Sequence, residues 1–268
     1  MIGIGISGWS YPQWRGGFYP RTLPLRDALA YASRRFATIE INATFYGRQP
    51  AARYDRWHEL TPPGFLFAVK GLRQVTHHRR LADAEEPLAA FFASGVLRLR
   101  EKLGPILWQL PPGLAFDPAL VEQFVIALPR DSRAAARLAA IDGVDERPLR
   151  HAIEVRHPSF ETPRFLDLLR RHDVALVFAD GPSAPRFREP TAALVYVRLH
   201  GTGAAYTGGY DAAALDGWAA LIKDWAGGAS RSDVLVYFNN TMKGDAPADA
   251  EALARRLGGV RAAQMASS

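Results

Sequence analysis

The sequence predicts a single-domain α/β protein, a (β/α)8 or TIM barrel. Three observations lead there. Eight apolar runs with period-two alternation recur along 268 residues. Segments with helical spacing separate them, which calls for parallel strands joined by right-handed crossovers. No linker, low-complexity tract or short repeat divides the chain, and eight strand–helix units fit one barrel of this length. An open doubly wound sheet is the alternative. It draws little support from the Gly-rich opening GIGISG, which no helical pattern clearly follows.

The elements follow in order. Strand one, Ile2–Gly8, sets Ile2, Ile4 and Ile6 against Gly3, Gly5 and Ser7. A helix is expected over Pro24–Arg35. Strand two, Phe36–Asn42, sets Ala37, Ile39 and Ile41 against Thr38, Glu40 and Asn42. Helix Ala51–Leu60 leads to strand three, Phe65–Lys70. Helix Ala84–Lys102 leads to strand four, Pro105–Leu110, whose exit is stiffened by Pro111 and Pro112. Asp117 before Pro118 caps the next helix, Pro118–Leu128. The polar stretch Arg130–Pro148, with an Arg/Ala helical pattern, reads as an insertion within the domain. Strand five, His151–Arg156, sets Ile153 and Val155 against Ala152, Glu154 and Arg156. Thr162 before Pro163 opens helix Thr162–His172, and strand six is Val174–Asp180. The connection Gly181–Pro190 carries Pro182, Pro185 and Pro190, so a short or irregular crossover is expected. Strand seven, Leu194–His200, sets Val195, Val197 and Leu199 against Tyr196, Arg198 and His200. Helix Asp211–Ala226 leads to strand eight, Val234–Asn239, with Val234, Val236 and Phe238 opposite Leu235, Tyr237 and Asn239. Helix Pro247–Leu257 completes a domain of residues 1–260, and 261–268 are expected to fray.

Each strand thus has one purely apolar side, suited to packing under helices. Its other side turns polar toward the C-terminal end, and in a barrel that side faces the interior. The layer at the C-terminal mouth then gathers Ser7, Glu40, Asn42, Lys70, Gln109, Glu154, Arg156, Asp180, Arg198, His200 and Asn239. Three acidic and three basic groups stand in this layer, and buried ions must pair, meet a ligand or stay wet. Barrel enzymes place their chemistry at this pole. The loop after strand seven, from Gly201 through Tyr206 to Tyr210, is Gly-rich and suits an anion. Asn239 and Asn240 end strand eight with amides that both donate and accept. Trp9 opens an aromatic cluster after strand one, with Tyr11, Trp14, Phe18 and Tyr19.

Composition limits the chemistry. Hydrophobic residues make up 48% and charged residues 22%, an ordinary globular balance. There is no cysteine, so disulfides, thiolate–zinc sites and thiol nucleophiles are excluded. No apolar run is long enough for a membrane span, and the opening residues lack a signal-peptide pattern, so a cytoplasmic protein is expected. The formal charge is +6, and only four of the 33 basic residues are lysine. The arginines are scattered, which reads as compositional habit.

Several motifs together resemble one family. They are SGWSY-PQW-RGGFYP (Ser7–Pro20), FATIEINATFY (Phe36–Tyr46), FLFAVKG with Thr76 and His77, LGPILWQLPP (Leu103–Pro112), AIEVRHPSF (Ala152–Phe160), YVRLHG (Tyr196–Gly201) and YFNNTMKGDAPADA (Tyr237–Ala250). In this order, along nearly the whole chain, they resemble the YecE-like family, a TIM-barrel domain of unknown function. The resemblance implies the barrel and supplies no activity. Thr241 stands where many relatives carry a carboxylate, and Asp249 where they carry an asparagine.

Three functions fit the mouth. The first is an enzyme acting on a small polar or anionic molecule, phosphate- or sugar-like. Glu40, Glu154 and His200 would carry protons, and Arg156 and Arg198 would bind the anion. The second is a metal-dependent phosphodiesterase of the endonuclease IV type, drawing on His77, His78, Glu154, His157, Asp180 and His200. Neighbouring arginines oppose a cation there and no tight histidine pair is present, so no metal is assigned. The third is a non-catalytic binder of nucleic acid or a metabolite, stacking it on the aromatics beside Arg15. The sequence names no cofactor and no oligomeric state.

Overall fold

A computed structural model describes residues 1–181, 185, 187, 189–203, 206–228 and 232–259. Eight parallel strands close in sequential order: β1 (Ile2–Ser7), β2 (Thr38–Ile41), β3 (Leu66–Lys70), β4 (Leu103–Gln109), β5 (His151–Glu154), β6 (Ala175–Asp180), β7 (Leu194–Leu199) and β8 (Asp233–Phe238). The helices are α1 (Ala28–Ala32), α2 (Ala43–Tyr46), α3 (Ala51–Leu60), α4 (Glu85–Ala93), α5 (Pro118–Ala127), α6 (Ser132–Leu138), α7 (Pro163–Arg171), α8 (Ala212–Gly227) and α9 (Asp245–Arg256). No described helix is long and apolar enough to cross a membrane. The irregular crossover expected at 181–190 falls partly outside the described residues, and the fraying expected at 261–268 falls wholly outside them.

The alternation holds. Ile4, Ile6, Ile39, Ile41, Val197 and Val236 belong to the large core between strands and helices. A separate, smaller cluster fills the barrel: Ala68, Leu107, Ala152, Ala175, Val177, Leu194, Tyr196, Leu235 and Tyr237. The two tyrosine rings lie 4.9 Å apart, and Tyr237 shares a 2.8 Å hydrogen bond with Thr38. β1 faces this cluster with glycines. A Cβ added at Gly5 would lie 1.8 Å from the backbone oxygen of Thr38, so β1 and β2 approach as closely as they do only without a side chain there. Gly5→Ala is expected to cost about 1–3 kcal/mol by forcing the two strands apart. A denaturation midpoint unchanged from wild type would refute that.

Three segments differ from expectation. The predicted helix Ala84–Lys102 is two helices, because Gly95 adopts φ 111° and a 3₁₀ segment, Val96–Lys102, follows it. A Cβ at Gly95 would sit 2.8 Å from the Cα of Ala51, so α3 can pack closely here. Pro24–Arg35 begins as a 3₁₀ turn (Leu25–Asp27), and only Ala28–Ala32 is α-helical. After β3 a π-helical turn, Gln74–His78, carries His77 and His78. β4 pairs Phe67 with Leu103 and Val69 with Ile106, one residue more on its own side, an irregularity that falls at Pro105, which has no N–H to give the ladder. The insertion Arg130–Pro148 forms α6, capped by Asp131 accepting from the Ala134 N–H at 2.7 Å.

Candidate functional site

The polar ends of β1, β2, β5 and β7 converge on one guanidinium. Register sets Ser7 beside Glu40 and Gln109 beside Glu154. Arg198, 2% exposed, reaches across the interior. Its Nε donates to Glu40 Oε2 at 3.0 Å, Nη2 to Glu40 Oε1 at 2.8 Å and Nη1 to Glu154 Oε2 at 2.6 Å. Glu40 also accepts from the Tyr196 hydroxyl at 2.6 Å and from the Ser7 hydroxyl. Burial opposes ionisation of both glutamates, but Arg198, joined by Ser7 and Tyr196 at Glu40 and by His200 and Arg156 at Glu154, outweighs it and holds both carboxyls below the usual range. Glu40 is fully buried with both oxygens engaged, so it anchors Arg198.

Above this knot lies a more open tier. Arg156 pairs with Glu154 through Nη2, and its side chain is 15% exposed. The same Nη2 lies 3.2 Å from His200 Nε2, and the Asn239 amide lies 3.1 Å from Nδ1. Burial, with Arg198 and Arg156 nearby, pulls His200 below its ordinary pKa, so the ring is neutral near pH 7. A neutral imidazole has one N–H. A guanidinium can only donate, so Nε2 accepts from Arg156 and the proton sits on Nδ1. The Asn239 atom placed 3.1 Å away is Nδ2, so this tautomer requires the amide rotated to present its oxygen. Arg156 Nε and Asn42 Oδ1 are buried without a partner among the described residues. Lys70 donates to Gln109 Oε1 at 2.6 Å and lies 4.1 Å from the centre of the Phe45 ring.

Four expected site residues sit otherwise. Asp180 pairs with Leu199, and Leu199 packs under the helices. The carboxylate of Asp180 therefore turns away from the mouth and stands beside the Tyr210 hydroxyl. Asn240, one residue beyond the inward Asn239, donates to Gly208 O at 3.0 Å and Asp249 Oδ2 at 2.8 Å, tying the β7–α8 loop to α9. Trp9 packs 5.5 Å from Trp57 and 6.3 Å from Phe67, in the helix-side core rather than the cavity. Gly201 gives its N–H to the Tyr210 hydroxyl at 2.9 Å, and Gly203 gives its own to Thr207 O, so neither is free to cradle an anion. Tyr206 is 47% exposed, its ring 5.3 Å from that of His200. Of the other aromatics after β1, Phe18 and Tyr19 pack on Tyr31, and Phe18 also on Phe36. The Tyr11 ring lies 4.4 Å from that of Trp14, and its hydroxyl donates to Ser7 O at 2.7 Å.

The remaining ligand-type groups do not gather. His157 accepts from the Ser159 N–H and caps its own turn. Among the described residues no three of His, Asp or Glu converge as metal ligands. Thr241 offers its backbone oxygen to Trp14 Nε1 at 3.0 Å. Asp249 accepts from Asn240 and from the Tyr210 N–H, and its burial raises its pKa. His77, a metal-ligand candidate in the sequence, stands with its ring 5.0 Å from that of Phe45, edge to face, beside Lys70.

The fold and this ion cluster define a closed (β/α)8 barrel protein with a polar C-terminal mouth. The family model described as "Protein of unknown function DUF72" matches residues 3–267, and the chain belongs to that family. It is 35% identical over 122 residues to UPF0759 protein YunF of Bacillus subtilis (strain 168), covering 42% of this chain and 40% of that protein. It is 28% identical over 162 residues to UPF0759 protein YecE of Escherichia coli (strain K12), covering 60% and 50%. The chain therefore spans half or less of these curated relatives in the matched segments. A DUF72 family protein from Thermotoga maritima superposes with a TM-score of 0.81 at 24% identity, covering 96% of this chain and 99% of that one. Another, from Enterococcus faecalis V583, gives 0.77 at 21% identity, covering 96% of each chain. These structures support the fold, and the YecE-like resemblance of the motifs holds.

Proposed function

We propose that the mouth binds a small anionic molecule and carries out acid–base chemistry on it, as an enzyme. One observation carries this reading. With Asp180 turned away, the described residues of the mouth set Lys70, Arg156 and Arg198 against two carboxylates, Glu40 and Glu154. Arg198 is consumed by the glutamates. The excess positive charge rests on Arg156 and Lys70, the two cations nearest the opening, and both retain unspent donors.

In this reading Arg156 and Lys70 hold the anion, assisted by Gln109 and Asn42. Glu40, Ser7 and Tyr196 position Arg198, and Arg198 with Glu154 positions Arg156 and His200. His200 is the proton carrier. In the tautomer assigned above, Arg156 Nη2, 3.2 Å away, covers its Nε2 lone pair. An anion that draws the guanidinium toward itself uncovers that lone pair, so the base becomes available only when the ligand is present.

Calorimetric titration with inorganic phosphate, in buffers of different ionisation heat, tests this. Wild type is expected to bind with uptake of a fraction of a proton. Arg156→Gln is expected to bind at least ~10-fold more weakly, since a charge-assisted pair is worth roughly 1.5–3 kcal/mol. His200→Asn is expected to show a smaller buffer dependence than wild type, the remainder coming from Lys70 and from the phosphate itself. Equal affinity in wild type and Arg156→Gln would end the proposal.

A further inference from the structure

The chain has four lysines, and two are buried in opposite ways. Lys102 spends its ammonium on three oxygens, the carbonyls of His58 and Thr61 at 2.6 Å each and the Thr61 hydroxyl at 3.2 Å. Lys70 is 8% exposed, its ammonium makes one hydrogen bond among the described residues, to Gln109, and it rests against the Phe45 ring. No carboxylate lies within 4.0 Å of its nitrogen among the described residues. An ammonium has three donors, so Lys70 keeps N–H groups for the cavity. Such a geometry serves poorly as a structural tie and well as a reactive amine.

We infer that Lys70 is a nucleophile that forms a Schiff base with a carbonyl-bearing anion, such as a small oxo acid, held beside it by Arg156. This rests on the anion reading above and adds the substrate's reactive group. The amine lone pair attacks the carbonyl carbon and forms the C–N bond, while the C=O π pair moves to oxygen. A proton passes from nitrogen to that oxygen. A second proton, from solvent through His200, lets the oxygen leave as water, and the product is a protonated imine on Lys70. No oxidant or reductant is consumed.

The surroundings enlarge the free-amine fraction, while most of Lys70 stays protonated near pH 7 as the anion reading requires. Arg198 from β7 and Arg156 after β5 face Lys70. Glu154 from β5 and Glu40 from β2 oppose them, and His77 faces it from the π-turn. Burial and the two guanidiniums prevail and bring the amine down to about 8. Desolvated lysines with lowered pKa values are the ones that do this chemistry.

The test is reductive trapping on the intact protein at pH 7.5 with glyoxylate and cyanoborohydride, followed by peptide mapping. The other lysines are internal controls: Lys102 is buried and tied, and Lys223 and Lys243 are exposed. Lys70 is expected to be labelled at least ~10-fold faster than either exposed lysine, and Lys70→Arg to take up label only at the exposed positions. A parallel reaction uses propionaldehyde, which has no charge. Preference for Lys70 with both aldehydes, at equal rates, keeps the nucleophile and removes the anion site. Labelling of Lys70 no faster than of Lys223 or Lys243 overturns the inference. If phosphate binding through Arg156 persists in that case, the anion reading stands without it.

Discussion

Arg198→Met is expected to lose about 3–5 kcal/mol of stability, a large share of what a domain of this size has. The reason lies in what stays behind. Glu40 and Glu154 are both fully buried, and the guanidinium is the cation they share in staying ionised. Methionine fills comparable space and leaves two carboxylates inside the barrel with no central cation. They must then take up protons or draw in water. The triple variant Arg198→Met, Glu40→Gln, Glu154→Gln removes all three charges together and is expected to recover more than half of the loss. Urea denaturation of the two variants checks both statements. A single variant within 1 kcal/mol of wild type (about a fivefold change in the folding equilibrium) would show that the ions are already hydrated.

Acid is expected to weaken the fold in two separate windows. The first belongs to His151. Its ring is fully buried, with Trp108 Nε1 donating to Nδ1 at 3.1 Å and Nε2–H donating to Pro129 O at 2.7 Å. That arrangement needs a neutral imidazole, and burial pulls the group from 6.5 to about 4. Between those values the unfolded chain binds the proton and the folded chain does not. The stabilisation is therefore complete above pH 6.5 and drains away as the pH falls toward 4, about 3 kcal/mol in all. The second window opens below 4.5, the ordinary glutamate value, where Glu40 and Glu154 resist protonation in the folded state. Denaturation at pH 7, 6, 5 and 4 separates the two. His151→Gln can keep both hydrogen bonds without titrating, so its curve is expected to be flatter between pH 6.5 and 4. His77 and His200, also held low, leave a residual slope. A slope equal to that of wild type would exclude His151 as the cause.

Much of the fold was legible because strands advertise their two faces. Ile4 and Ile6, Val195 and Val197, or Val234 and Val236 can be buried together only if Gly5, Tyr196 and Tyr237 share the opposite side, as they do. The same rule locates Glu40, Glu154 and Arg198 on one axis. It also places Asp180 correctly when applied strictly: Ala175, Val177 and Ala179 point inward, so the next residue points out. Trp9 lies past the end of β1, where the chain turns and parity lapses, whereas Asn240 keeps the alternation of β8 and points away from the inward Asn239. Gly95 was visible in the sequence, but the helical pattern on both sides of it concealed the break. The π-turn at Gln74–His78 has no residue signature of its own, so His77 could not be brought to Lys70 by spacing alone. Its position depends on how the backbone leaves β3.

The Arg198 knot has one more consequence. Glu40 stands in the first four strands, while Glu154 and Arg198 stand in the last four. Separating the barrel into half-barrels would strand ions on both sides of the cut. Opening by halves is thereby discouraged, and backbone amides of β2, β5 and β7 should share one hydrogen-exchange rate, that of whole-molecule unfolding.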